Sequence, residues 1–173
     1  MPDQTDINKP GAVLIDRLVR NFYTIVPEQY KTYCAFTSEI ISRVLEHYGV
    51  PCKRIACQVW YTVPNHIYVV GFLGKKTPEK WDGHVVCCAE HLLIDVATHH
   101  FEREFGLQAP WAIATPMFTF PTSTLAHISI GGTNAIWWQQ APEGVDIEPP
   151  NEPQELVMQY AHKLISALDS EVL

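Results

Sequence analysis

GHVVCCAEHLLIDVA, residues 83–97, reads as two short strands around a tight turn. If Glu90 and His91 form a two-residue loop, Ala89 faces Leu92 and Val86 faces Asp95 across the ladder. Side chains alternate between faces along a strand, so that register puts His84 and Asp95 on one face as diagonal neighbours. A four-residue loop makes them direct partners, and an odd-length loop separates them. Val85, Cys87 and Ala89 then share the other face with Leu92, Ile94 and Val96, an apolar set fit for a core. A carboxylate amid Leu93, Ile94 and Val96 needs a partner, because an unpaired charge there is costly. His84 is the partner this register offers.

Upstream, TYCAFTSEIISRVLEHYGVPCK carries Cys34 at the head of a helix whose N-cap is read at Thr32. Ile40, Ile41, Val44, Leu45 and Tyr48 recur at spacings of three and four, Gly49 supplies a left-handed stop, and Pro51 forbids continuation. A helix start offers free backbone N–H groups and the positive end of the dipole, both of which favour a thiolate. Cys34, His84 and Asp95 follow the order nucleophile, base, orienter. Singly, each has a structural reading. A free Cys is commonly a small buried hydrophobe, a His a hydrogen-bonded core or surface group, and an Asp a strand-end carboxylate. As a set they point to thiol chemistry. The other four cysteines, at 52, 57, 87 and 88, read as structural.

Around this centre the chain reads as α+β: helices first, antiparallel strands in the middle, a helix last. A first helix covers residues 10–22, and Pro27 breaks the stretch after it. Strands are expected over 54–63 and 67–73, with Gly74 to Lys80 as a loop. His99 to Pro110 is irregular, apart from a helical turn at FEREF. Further strands are expected over 112–118, 125–130 and 135–139, with Gly131-Gly132 joining the last two. Residues 141–153 form a proline-rich linker to a helix bearing Leu156, Tyr160, Leu164 and Leu168. A length of 173 residues suits one domain spanning 1–173.

Composition narrows the partners. The net charge is −7, from 12 basic and 19 acidic side chains, and the basic pairs Lys53-Arg54 and Lys75-Lys76 stand alone. A nucleic-acid groove is therefore not expected. Neither is a membrane partner, since no apolar run is long enough to span a bilayer, and MPDQTDINKP lacks a secretory apolar region. The expectation is a cytoplasmic protein. Five cysteines without a CxxC pair argue against a disulfide framework. Cys88-Ala89-Glu90 is similar to the first zinc motif of cytidine deaminases, but no Cys follows residue 88 to complete the site. His84, His91, His99 and His100 match no zinc spacing, so no metal and no cofactor are expected.

The run from Cys34 through Gly49-Val50-Pro51 to Lys53-Arg54-Ile55 resembles the transglutaminase-like branch of the papain-type cysteine enzymes. There the nucleophilic Cys opens a helix closed by a Gly-hydrophobic-Pro turn and followed by a basic strand. Gly83-His84 and Leu93-Ile94-Asp95 match that family's His and Asp strands, so the resemblance covers residues 30–98. The LIDVA strand is also similar to arylamine N-acetyltransferases, whose Arg-Gly-Gly-x-Cys signature is absent before Cys34. The resemblance implies a papain/transglutaminase-like core with the nucleophile helix packed on an antiparallel sheet. It implies Cys34 as nucleophile, His84 as base, Asp95 as orienter and Gln29 as an oxyanion donor beside the Cys34 N–H. Tyr33, Trp60 and Trp81 are candidates to bind the apolar part of an amide- or acyl-bearing substrate. The expected activity is thiol-dependent acyl transfer or amide hydrolysis through a thioester. A fold-retaining scaffold without activity, and a redox sensor built on Cys34, are the rivals.

Overall fold

Lys53–Val63 form β1, an eleven-residue strand rich in β-branched and aromatic side chains, and the sheet is assembled around it. The computed structural model describes residues 10–74, 81–119, 122–145 and 147–171. Among these the helices are α1 (Pro10–Ile25), α2 (Cys34–His47), α3 (His99–Phe105) and α4 (Gln154–Ser170). The other strands are β2 (His66–Val70), β3 (His84–Ala89), β4 (Leu92–Asp95), β5 (Ile113–Pro116), β6 (Thr124–Gly131) and β7 (Asn134–Gln140). The architecture is α+β, as the order of sequence patterns implies.

One edge of β1 is shared. Its first half pairs with β3, its second half with β2, and its other edge pairs with β7. The path runs β5-β4-β3-β1-β7-β6, antiparallel throughout, with β2 off the path. Its two ends meet where the Phe118 N–H donates to the Leu125 carbonyl at 2.8 Å, so the sheet curls into a nearly closed barrel. The curl makes both faces of β3 and β4 interior. One face, with Cys87, Ala89, Ile94 and Val96, packs beneath α1, α2 and α4 on Ile15, Ile40, Leu45 and Leu164. The opposite face looks into the barrel, where Val59, Tyr61, Val86, Leu93, Phe101, Ile136 and Trp138 fill a second core.

The β3–β4 register is the two-residue one. Ala89 opposes Leu92 and Cys87 opposes Ile94, with Glu90 and His91 at φ 49° and 64°. Both loop residues lie in the left-handed region, which a type I′ hairpin turn requires.

Several boundaries differ from the sequence reading. Helix α1 continues past Phe22 to Ile25, and its last turn brings Val26 into the core before Pro27 stops it. Tyr33 occupies the N-cap position of α2, while the Thr32 hydroxyl accepts from Arg103 Nη1 at 2.8 Å. Strand β2 ends at Val70, because Gly71 (φ 89°) and Phe72 (φ 57°) turn the chain back onto Asp82. FEREF belongs to a full helix, closed by Gly106 at φ 67°. The β6–β7 loop is Gly132-Thr133, since Gly131 still pairs with Asn134. Residues 75–80 of the expected Gly74 to Lys80 loop lie outside the described residues. No helix among the described residues is long and apolar enough to cross a membrane.

Candidate active site

Three segments converge at the start of β3. Helix α2 begins at Cys34, and its first intrahelical bond runs from the Thr37 N–H to the Tyr33 carbonyl. The N–H groups of Cys34, Ala35 and Phe36 therefore have no acceptor within the helix. The half-buried Cys34 sulfur lies 3.8 Å from the Gly83 carbonyl oxygen. His84, one residue on, is buried and lies close enough to Cys34 for the charge on one to act on the other.

His84 Nε2 sits 2.7 Å from Asp95 Oδ2. The register explains the meeting: Val86 would continue the ladder opposite Asp95, which leaves His84 diagonal to it on the same face. With Nε2 engaged, Nδ1 is the ring atom left for the sulfur. Asp95 is 1% exposed and its charge is fully answered. Oδ2 also accepts from the Trp138 indole N–H at 2.7 Å, and Oδ1 from the Ala97 N–H at 2.9 Å. That last bond ends β4 at Asp95, short of the Ala97 that the apolar run suggested.

The electrostatics follow from this packing. Burial opposes an imidazolium, yet the Asp95 carboxylate and the Cys34 sulfur hold the His84 pKa well above the ordinary histidine value. Burial likewise opposes the Asp95 carboxylate, yet His84, Trp138 and the Ala97 N–H hold its pKa below the ordinary value. The pair is an ion pair inside the protein, kept charged by its own partners.

The remaining sequence candidates divide. Tyr33 stands beside Cys34 and is 60% exposed. Trp81 packs on Gly83 so closely that a Cβ there would come within 2.3 Å of its ring, so only glycine fits before His84. Trp60 is not brought to the His84 face. Cys57 is the Cα partner of His84, and Trp60, three residues along β1, points to the other side and donates to Gln58 at 2.6 Å. Gln29 is exposed on the short 3₁₀ turn Glu28–Tyr30, with no hydrogen-bond partner among the described residues.

Sequence reasoning missed two residues. Trp138 holds Asp95, and its only signal was alternation in Trp137-Trp138, which turns one indole inward once β7 is paired with β1. Arg54 bonds the Ala35 carbonyl at 3.3 Å, Ser38 Oγ at 3.2 Å and the Glu39 carboxylate, and so anchors the first turns of α2 to β1. The one clue was a basic residue at the head of a strand. Two open recesses occur elsewhere, one walled by Glu102, Gln108 and Trp111 and one by Thr62, Asn65 and Ile67. Neither includes Cys34, His84 or Asp95 in its wall. Among the described residues no group of three His, Cys, Asp or Glu side chains is disposed to hold a metal ion.

No family model matches the chain, and no curated protein matches it. A solved structure described as "The crystal structure of genomics APC5867" is similar at 18% identity and a TM-score of 0.44, covering 97% of this chain and 77% of that one. Likeness at that level carries no functional argument.

Proposed function

We infer that the protein is a cysteine-dependent acyl transferase or amide hydrolase with a papain/transglutaminase-like core. Cys34 is the nucleophile, His84 the base and Asp95 the orienter. One observation carries the reading: a buried imidazole, fixed through Nε2 by a fully bonded carboxylate, lies beside the cysteine at the open end of a helix. A cysteine kept only for packing does not need that carboxylate.

In this mechanism the reacting state is the ion pair, with the proton on the His84 ring and the sulfur as thiolate, and the sulfur attacks the carbonyl carbon of an amide or acyl group. The oxyanion lies against the free N–H groups at the start of α2, Cys34's own among them. His84 then returns the proton to the departing amine and a thioester remains. Attack by water or an amine on that thioester, with the now neutral His84 as base, frees Cys34 and restores the ring proton. Asp95 holds the ring with Nδ1 toward sulfur and stabilises the imidazolium while it exists. Tyr33, exposed next to Cys34 in the chain, and Trp81, packed on Gly83, fit the apolar part of a substrate.

The test is the iodoacetamide labelling rate of Cys34 between pH 5 and 9, located by peptide mapping. His84→Ala is expected to slow it by roughly tenfold or more at pH 6. A rate that His84→Ala leaves unchanged across this range would overturn the reading and leave a fold-retaining scaffold.

A further inference from the structure

Of the four cysteines outside the candidate active site, two meet. Cys52 lies just ahead of β1 and Cys87 within β3, where Lys53 pairs with Cys88 and Arg54 with Cys87. Alternation puts Cys52 and Cys87 on the helix-facing side, and both belong to the core beneath α2. By the same register the two side chains are diagonal neighbours across the ladder. Cys87 Sγ also lies 3.1 Å from the Ser38 carbonyl in the second turn of α2. Cys88 turns to the opposite face and offers Cys52 its backbone N–H. Cys57 is enclosed in the barrel.

The two thiols differ in a useful way. Cys52 is half-buried, within reach of a small solute, whereas Cys87 is fully buried behind it. The neighbouring Cys87 thiol, helped by Ser42 and the Cys88 backbone, holds the Cys52 pKa below the ordinary thiol value against the effect of burial. Burial pushes that of Cys87 well up. A partly accessible thiol that ionises readily beside a protonated neighbour is the arrangement a peroxide-responsive pair needs.

We propose that Cys52 and Cys87 are a dithiol that hydrogen peroxide closes into a disulfide between the head of β1 and β3, beneath the helix that carries Cys34. The Cys52 thiolate attacks one peroxide oxygen, the O–O bond breaks, and hydroxide leaves, giving a sulfenic acid. The Cys87 sulfur then attacks the Cys52 sulfur; the S–S bond forms as the S–O bond breaks, and the sulfenic hydroxyl leaves with the Cys87 proton as water. Two thiols are oxidised and one peroxide is reduced to two waters. The contact from Cys87 to the Ser38 carbonyl is surrendered in the process, so the change is felt in the second turn of α2.

The test uses Cys34→Ser protein, so that the proposed nucleophile plays no part and the outcome is independent of its activity. After brief exposure to hydrogen peroxide and quenching, free thiols are alkylated and the tryptic peptides mapped without reductant. The expected product links peptide 44–53 to peptide 81–103 and is reversed by dithiothreitol. It should vanish with Cys52→Ser or Cys87→Ser and persist with Cys88→Ser. Fragmentation between residues 87 and 88 of the linked peptide assigns the partner thiol with no further substitution, should Cys87→Ser fail to fold. A link through Cys88, or Cys52 passing to sulfinic acid without any link, would overturn the proposal.

Discussion

A buried imidazole is ordinarily driven neutral, because charge away from water is expensive. His84 escapes that rule only through Asp95, so the pair makes stability depend on pH in a direction that can be worked out. The folded-state pKa of His84 is above its unfolded value, so its contribution is complete below about 6.5 and fades as pH rises toward the folded value. Asp95 is shifted the other way, so its contribution is complete above about 3.9 and is lost only as pH falls below that. Between pH 5 and 6 both act in full. Asp95→Asn is therefore expected to cost about 3 kcal/mol at pH 5.5, with the deficit shrinking as pH rises to 9. Urea denaturation of both proteins at the two pH values measures this. A deficit that stays constant or widens toward pH 9 would show that His84 does not hold its proton in the folded state.

At the scale of elements, the hairpin was legible and the clamp on the helix was not. The face shared by His84 and Asp95 follows from counting two residues between Ala89 and Leu92, a local matter that the sequence contains. The stop at Asp95 did not follow, because it depends on where that carboxylate sends its hydrogen bonds. Arg54 shows the same limit across a longer span. It reaches from β1 to Ala35, Ser38 and Glu39, and no periodicity in residues 34–54 reveals which carbonyl a guanidinium will find. Its role can be tested through Glu39, which is 8% exposed and shared with Arg43 at 2.9 Å. Arg54→Met strips the nearer cation from a mostly buried carboxylate. The Arg54 side chain is 22% exposed, so solvent softens the loss to about 2–3 kcal/mol. Adding Glu39→Gln removes the charge that was stranded and should recover part of the deficit. Denaturant midpoints for the two single variants and the double variant measure the coupling. Strictly additive losses would mean that the guanidinium stabilises α2 through Ala35 and Ser38 alone.

For the whole molecule, the α+β class was readable from the order of patterns, whereas the closure of the sheet was not. Nothing local in 112–118 or 125–130 says that these strands sit at opposite ends of one path and then meet. The β1–β7 pairing that bends the path joins residues about eighty apart, and it is this pairing that carries Trp138 over to Asp95. Closure and site are therefore linked: β1 sets Cys57 against His84 on one edge and Val59 against Trp138 on the other. The seam is much thinner than the centre. Strand β1 is paired along both edges, while β5 and β6 are joined to each other by the single Phe118–Leu125 backbone bond among the described residues. Local opening free energies track such differences in buried, paired backbone. Amides of β1 and of β7, where it lies between β1 and β6, are expected to exchange slowest. The outer-edge amides of β2, β5 and β6 should exchange far earlier. Deuterium uptake followed by mass spectrometry resolves these segments. Uptake in 113–118 and 125–130 as slow as in 55–61 would mean the barrel is closed as firmly at its seam as at its centre, and that His84 and Asp95 sit in a structure unable to open along β5 and β6.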